Sequence, residues 1–525
     1  MEPSCIRQTE LPHTSKLFAD YIYHPDRVAA FFPYSTQDPE ALAKAAAAID
    51  FPDDRRRALV AALRLQNGDH PALDALARPG TVAVVTGQQV GLFSGPAYTI
   101  YKALTAVHLA RRLTDQGIPA VPIFWLATED HDFAEVNQAW VFDARHRPAE
   151  LRAEATPGAG QPVGTVVIGS APWEQAAQVM HDLPFADEAV ALARNAYQPG
   201  RTFGEAFAAL VDALVGRFGL LRLDPMAPAI RSLAAPLLRQ AVDAAPDLSD
   251  ALLERGKQLV AAGYHAQVHV EATTSLFFLL EQNQRLNLRR QGDHYLAQSR
   301  RLTSAELKDQ AEHLSPNALL RPVVQDYMLP TVAYIGGPAE LAYLAQSQVL
   351  YQRLLGRQPI ALHRAGFTLI DARSAKLIQR FGLGLPSFFH GEDRLREQIA
   401  AKLVPPAVLS AVAEARQQTS ATLAKLSGEL AGFDASLKDA LSTSRRKIEY
   451  QVAKIERKIG REALARDARA ADQAASLYGL IYPNKHLQER LYSILPFIAK
   501  HGLGIIDQIH DTLQLDCPDH RVLEL

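Results

Sequence analysis

Cysteine is nearly missing from this 525-residue chain: only Cys5 and Cys517 occur, one near each terminus. Two isolated cysteines exclude both a disulfide framework and a CxxC pair for zinc or redox chemistry, and they suit a reducing cytosol. No apolar stretch approaches the ~18 uninterrupted residues of a membrane span, and MEPSCIRQTELPHTSKL lacks a signal-peptide core. The expected location is therefore cytoplasmic, with no membrane partner. Charge of one sign is lacking too: a formal net charge of -2 offers no global attraction for nucleic acid. Neither GxxxxGK[ST], GxGxxG nor HExxH is present. With 48% apolar and 21% charged residues, the chain has the composition of a multidomain globular protein acting on small molecules.

What is present is α/β patterning. VAVVTGQQVGLFSGP and VPIFWLATEDHD are short apolar strands ending in polar or glycine residues, separated by a helix from Pro96 to Leu113 whose Ile100, Leu104, Val107 and Ala110 share a face. Strand signals resume at Leu220–Leu223, Gln267–Val270, Ser275–Leu280 and Thr331–Ile335, and GGPAELAYLAQ repeats the glycine-proline entry into a helix. Two such units, roughly 240 residues apart, imply a doubly wound parallel sheet completed by both halves of the chain. The expected divisions are N-terminal helices with the first half of the core (1–150), an insertion (151–215), the second half (216–385), a helical domain (386–478) and a segment returning to the core (479–525). Within 407–478, apolar residues keep 3-4 spacing through Leu423, Leu430, Ile448 and Ile455, which reads as an antiparallel coiled-coil hairpin. Its Arg445, Arg446, Lys447, Lys454, Arg457, Lys458 and Arg461 are its solvated face.

The carboxyl ends of such strands are where open α/β sheets bind ligands. In TGQQVGLFSGP, running from Thr86 to Pro96 and including Ser94, the glycines Gly87, Gly91 and Gly95 allow close backbone approach to a phosphate or carboxylate, and Gln88 and Gln89 add side-chain amides. Lys102, farther along the helix, is expected to face solvent. Glu129, Asp130, His131 and Asp132 crowd three carboxylates around one imidazole, an arrangement that raises pKa values and suits proton transfer; the alternative is a helix start capped by Thr128. His131, Asp130 and Asp132 are the candidate catalytic groups. If Gln267–Val270 is a strand, His269 shares a face with His265 and Glu271 and lines the cleft. Asn317, Arg321 and Gln325 precede the second glycine turn; Arg321 either binds an anion or pairs with Asp326 or Glu340. At Gly336 and Gly337, Glu340 either caps the helix or binds an amine.

Four long motifs, TGQQVGLFSGPAYTIYKALTAVHLA, VPIFWLATEDHDFAEVNQ, LLRPVVQDYMLPTVAYIGGPAELAYLAQ and YPNKHLQERLYSILPFI, closely resemble the bacillithiol biosynthesis cysteine-adding enzyme family, also called bacillithiol synthase. The resemblance implies a Rossmann-like, nucleotidyltransferase-like core with connecting insertions and a coiled coil used in homodimerisation. It also implies a ligase that joins the carboxyl group of L-cysteine to the amino group of glucosaminyl-malate in the last step of bacillithiol synthesis. Amide formation from a carboxylate needs activation, which makes ATP with Mg²⁺, and a cysteinyl adenylate, the simplest hypothesis. Zinc held by cysteine thiolates is not expected, because no paired cysteines exist. Two other readings share these residues: an adenylate-forming ligase or nucleotidyltransferase acting on another acid, and a coiled-coil scaffold with an inactive Rossmann-like domain.

Overall fold

In the computed structural model, residues 4–525 are described. They form two compact units, the first of residues up to 144, 148–368 and 489–523, the second of 145–147, 369–488 and 524–525. At the centre of the first is a five-stranded parallel sheet: β1 (Val82–Gln89), β2 (Ala120–Ala127), β3 (Leu221–Leu223), β4 (Thr331–Gly336) and β5 (Ile360–His363). Their spatial order is β5-β4-β1-β2-β3. The chain builds outward from β1 through β2 to β3, then returns to the other side of β1 with β4, so β1 and β4 flank a topological switch point.

Alternation along β1 explains the two helical layers. Val82 and Val84 pack with Ala106, Leu109, Ala110 and Leu113 of α1 (Tyr98–Asp115). Ala83 and Val85 face the opposite layer, with Leu341, Leu344 and Ala345 of α2 (Pro338–Leu354). A period of two sends successive β1 side chains to opposite layers, and both layers are covered, as a parallel sheet requires. Helix α1 is buried without a break from Thr99 to Val107, so it is a central helix and not a one-faced amphipathic one.

Two strand expectations are corrected. Gln267–Val270 is irregular: the amide side chain of Gln346 takes both backbone groups of Val268, donating to its carbonyl (2.9 Å) and accepting from its N–H (2.8 Å), where a neighbouring strand would stand. His265, His269 and Glu271 therefore share no strand face. The Ser275–Leu280 signal is a strand, Thr274–Glu281, but it belongs to a separate antiparallel five-stranded sheet with 284–291, 294–297, 300–303 and 314–316. Gln282 and Asn283, both at positive φ, turn its first hairpin.

The second unit contains the helical hairpin. Helices Pro406–Phe433 and Ala435–Arg466 meet at Asp434, whose carboxylate caps the second by accepting from Ser436 N–H (2.8 Å). An ion pair between Arg416 and Glu456 joins the two helices. Asp467 ends the second helix and caps a third, Ala468–Ile481. Of the basic residues, Arg445, Arg446, Lys447, Lys454, Lys458 and Arg461 are exposed and Arg457 is half-buried.

Candidate functional site

A cavity of about 630 Å³ lies over the carboxyl ends of β1, β2 and β4. Each strand contributes the residues at which it stops: Gly87, Gln88 and Gln89 from β1, then Glu129, Asp130 and His131 just past β2, and Gly337 and Glu340 just past β4. Phe278, Arg285 and Pro316 of the antiparallel sheet form a further wall, with Asn317, Arg321 and Tyr343 beside them. Gly87 is required by close approach: a Cβ there would sit 2.8 Å from the Trp125 carbonyl oxygen on β2.

The floor is a buried ion pair that sequence reasoning missed. Lys102 is fully buried, not solvated; its Nζ lies 2.8 Å from both carboxylate oxygens of Glu340, and it also donates to Gln88 Oε1 (3.2 Å) and to the Gly87 carbonyl. Glu340 further accepts from Tyr334 Oη (2.6 Å) and Gly337 N–H (2.8 Å). Burial alone would raise the Glu340 pKa, but Lys102 and these donors hold it below the usual carboxylate range. Glu340 thus caps α2 and neutralises Lys102 at once.

The TEDHD cluster fans out. Glu129 turns inward to a buried ion pair with Arg231. Asp130 accepts from Gln89 Nε2 (2.7 Å) and from His131 N–H (2.7 Å), with Arg285 at 3.8 Å. Burial opposes its ionisation, yet Gln89, Arg285 and the backbone N–H groups prevail and lower its pKa, the reverse of the rise expected from crowding. His131 lines the cavity, its Nδ1 3.4 Å from Arg285, its ring 5.9 Å from Phe278. Asp132 is exposed and outside the cavity.

Arg321 is half-buried in the cavity wall, bonded to Gln325 Oε1 (3.0 Å) and Tyr343 Oη (3.0 Å), both neutral. It pairs with neither Asp326, which bonds Gln325 and Tyr351, nor Glu340, which is taken by Lys102. A second arginine, Arg285, stacks 3.9 Å over the Phe278 ring and donates to Ser315 Oγ and the Pro316 carbonyl. Arg364 and Arg490 lie at the far edge, near Tyr98, and Arg364 is held by Glu489 at 2.6 Å.

The remaining expected residues lie away from the opening. Thr86 is buried and donates to the Ile335 carbonyl, tying β1 to β4. Gly91 and Ser94 are both engaged by the Tyr197 hydroxyl, Gly95 turns the chain at φ 66°, and none lines the cavity. The amides of this turn are spent within the protein, as Gly95 N–H on the Leu92 carbonyl. Gln325 supports Arg321 from behind, Gly336 is covered by Glu340 and Leu341, and Asn317 lines the wall while its side-chain Oδ1 accepts from the Leu319 and Leu320 N–H groups. His269 is exposed, beside Glu271. Among the described residues no group of three or more His, Cys, Asp or Glu is placed to hold a metal ion. Of the missed residues, Arg285 carried no local signal, while Lys102 lies inside TGQQVGLFSGPAYTIYKALTAVHLA and Arg490 inside YPNKHLQERLYSILPFI, with no role readable from their neighbours.

Comparison with known proteins covers the same chain. Residues 1–365 match the model of the bacillithiol biosynthesis BshC N-terminal Rossmann-like domain, and residues 367–525 that of the BshC C-terminal coiled-coil domain. The chain is 58% identical over 523 residues, the whole of both chains, to a protein of Solibacter usitatus named "Putative cysteine ligase BshC". Proteins of the same name from Koribacter versatilis (39% identical, all of both chains) and Salinibacter ruber (31%, 97% of this chain and 96% of the relative) are also similar.

Proposed function

The chain belongs to the bacillithiol biosynthesis BshC family and is a cysteine ligase of that pathway; we propose that it forms the amide bond between L-cysteine and the amino group of glucosaminyl-malate in the cavity at the β1/β4 switch point. The observation that carries this placement is Arg321, an arginine facing the cavity with only neutral partners. A guanidinium without a carboxylate of its own is a binding site for the carboxylate of an incoming acid, and malate supplies such groups.

Forming the amide requires a leaving group on the cysteine carboxyl and loss of a proton from the attacking amine. ATP would supply the first as an adenylate, and the cations Arg285 and Arg490 around the cavity suit its phosphates. His131, in the cavity wall with ionised Asp130 3.8 Å from its Nδ1, is the imidazole to which we assign removal of the amine proton. Cysteine-dependent exchange of labelled pyrophosphate into ATP tests the adenylate directly; condensation without nucleotide consumption would remove ATP from the scheme.

No helix among the described residues is long and apolar enough to cross a membrane, in keeping with our proposal of a cytoplasmic enzyme. For the hairpin we propose homodimerisation. No residue of Pro406–Phe433 is buried, and Leu426, Phe433, Ile448 and Ile455 leave 38–82% of their surface exposed, an apolar display that a second copy would cover.

A further inference from the structure

The chain's only two cysteines, 512 residues apart in sequence, lie side by side: Cys517 Sγ is 3.8 Å from Cys5 Sγ. Their approach does not depend on the thiols. Cys5 lies in a strand, Ser4–Ile6, paired antiparallel with His520–Glu524, with Cys5 opposite Arg521. Gln8 Nε2 donates to the Pro518 carbonyl (2.8 Å), and Tyr23 Oη donates to Asp519 Oδ1 (2.5 Å). Backbone pairing and two side-chain bonds thus hold the ends of the chain together on both flanks of the sulfurs. Cys5 is exposed and Cys517 half-buried, and a second cavity, about 500 Å³, is lined by Cys517, Asp519, Tyr23 and His363. Small reagents can reach both.

We propose that Cys5 and Cys517 are a redox-responsive dithiol, converted to an intramolecular disulfide by the disulfides of low-molecular-weight thiols. One protein thiolate attacks a sulfur of the small disulfide, forming a mixed disulfide and releasing one small thiol. The second protein thiolate attacks the protein-side sulfur of that mixed disulfide and releases the other. Two protein thiols are oxidised and one small disulfide is reduced to two thiols, so electrons and protons balance. The second step is intramolecular between groups already in contact, so it outruns attack on the mixed disulfide by the released small thiol. Closing the ring links an N-terminal strand to the C-terminal segment and encloses nearly the whole chain, the geometry in which a crosslink constrains the unfolded ensemble most.

Reduced full-length protein, treated with excess cystine, acid-quenched and alkylated, tests it by thiol titration and peptide mass spectrometry. The expected result is a fall from two titratable thiols per chain to none, a Cys5–Cys517 linked peptide within one chain, and full reversal by dithiothreitol. Cys5→Ser and Cys517→Ser, checked for native circular dichroism, should each instead retain half a cystine as a stable mixed disulfide. The proposal is overturned if the wild type accumulates mixed disulfides without the linked peptide, crosslinks between chains, or keeps both thiols, whatever the single variants do.

Discussion

Lys102 and Glu340, 238 residues apart in sequence, meet beneath the cavity at 2.8 Å and join the helices that follow β1 and β4. Lys102 is fully buried, so removing its partner leaves an ammonium group with only dipoles around it. Glu340→Gln should cost roughly 3–5 kcal/mol, the range for breaking a buried pair from one side. The double change Lys102→Met with Glu340→Gln should recover part of that loss. Chemical denaturation of the three variants checks the order, and a double variant no more stable than Glu340→Gln would show that the pair is not the source.

Histidine and aspartate at positions 131 and 132 should separate. His131 lines the cavity and Asp132 does not, so His131→Ala should lower turnover by ~10²–10⁴, the usual worth of a general base. Asp132→Asn should stay near wild type. Steady-state rates of folded variants decide, and equal losses would return Asp132 to the site.

Acid should destabilise the first unit through His363, whose pKa burial first, and then Arg364, press down to about 3. Between pH 6.5 and about 3 the unfolded chain binds a proton at this residue that the folded one does not, so stability falls as pH falls across that window. Glu489, held by Arg364 at a pKa of about 2, adds a loss below its unfolded value near 4.5. His363→Gln should flatten the thermal-melting profile between pH 6.5 and 4.5, and between pH 4.5 and about 3, where Glu489 also contributes, it should reduce the slope without abolishing it. A profile unchanged across both windows would refute the assignment.

Hairpin exposure gives a prediction about assembly. Leu426→Glu together with Ile455→Glu should yield monomers at micromolar concentration, since each buried apolar side chain contributes about 1.5–3 kcal/mol to an interface before entropic costs. Lys454→Glu, exposed among the basic residues, should not. Light scattering distinguishes them, and a wild type already monomeric would remove the hairpin from any interface.

Much of this architecture was readable from local pattern. Alternation in VAVVT, the glycine turns and the long 3-4 rows place β1, β2, β4 and the hairpin close to where they stand, because period and turn chemistry act within a few residues. Gln88, Gln89, His131, Arg321, Gly337 and Glu340 do converge, since strand ends at a switch point share one edge. What local pattern could not supply was partnership across the chain. Lys102 reads as a surface lysine until Glu340 is placed beneath it, and Asp130 reads as an acid of raised pKa until Gln89 and Arg285 are placed beside it. The 265–271 stretch alternates like a strand, but at Val268 the Gln346 side chain takes the backbone groups that a neighbouring strand would pair. The two cysteines look unrelated by sequence position and are neighbours in space.

The most direct test of the central claim is the kinetics of condensation of L-cysteine with glucosaminyl-malate, in the presence of ATP, by wild type and Arg321→Gln. A charge-assisted bond to a substrate carboxylate contributes about 1.5–3 kcal/mol, so KM for glucosaminyl-malate should rise roughly 10–100-fold while thermal stability stays near wild type, because Arg321 supports no carboxylate of the protein. No condensed product from the wild type, or unchanged KM in a folded Arg321→Gln protein, would contradict the placement of ligation at the β1/β4 switch point.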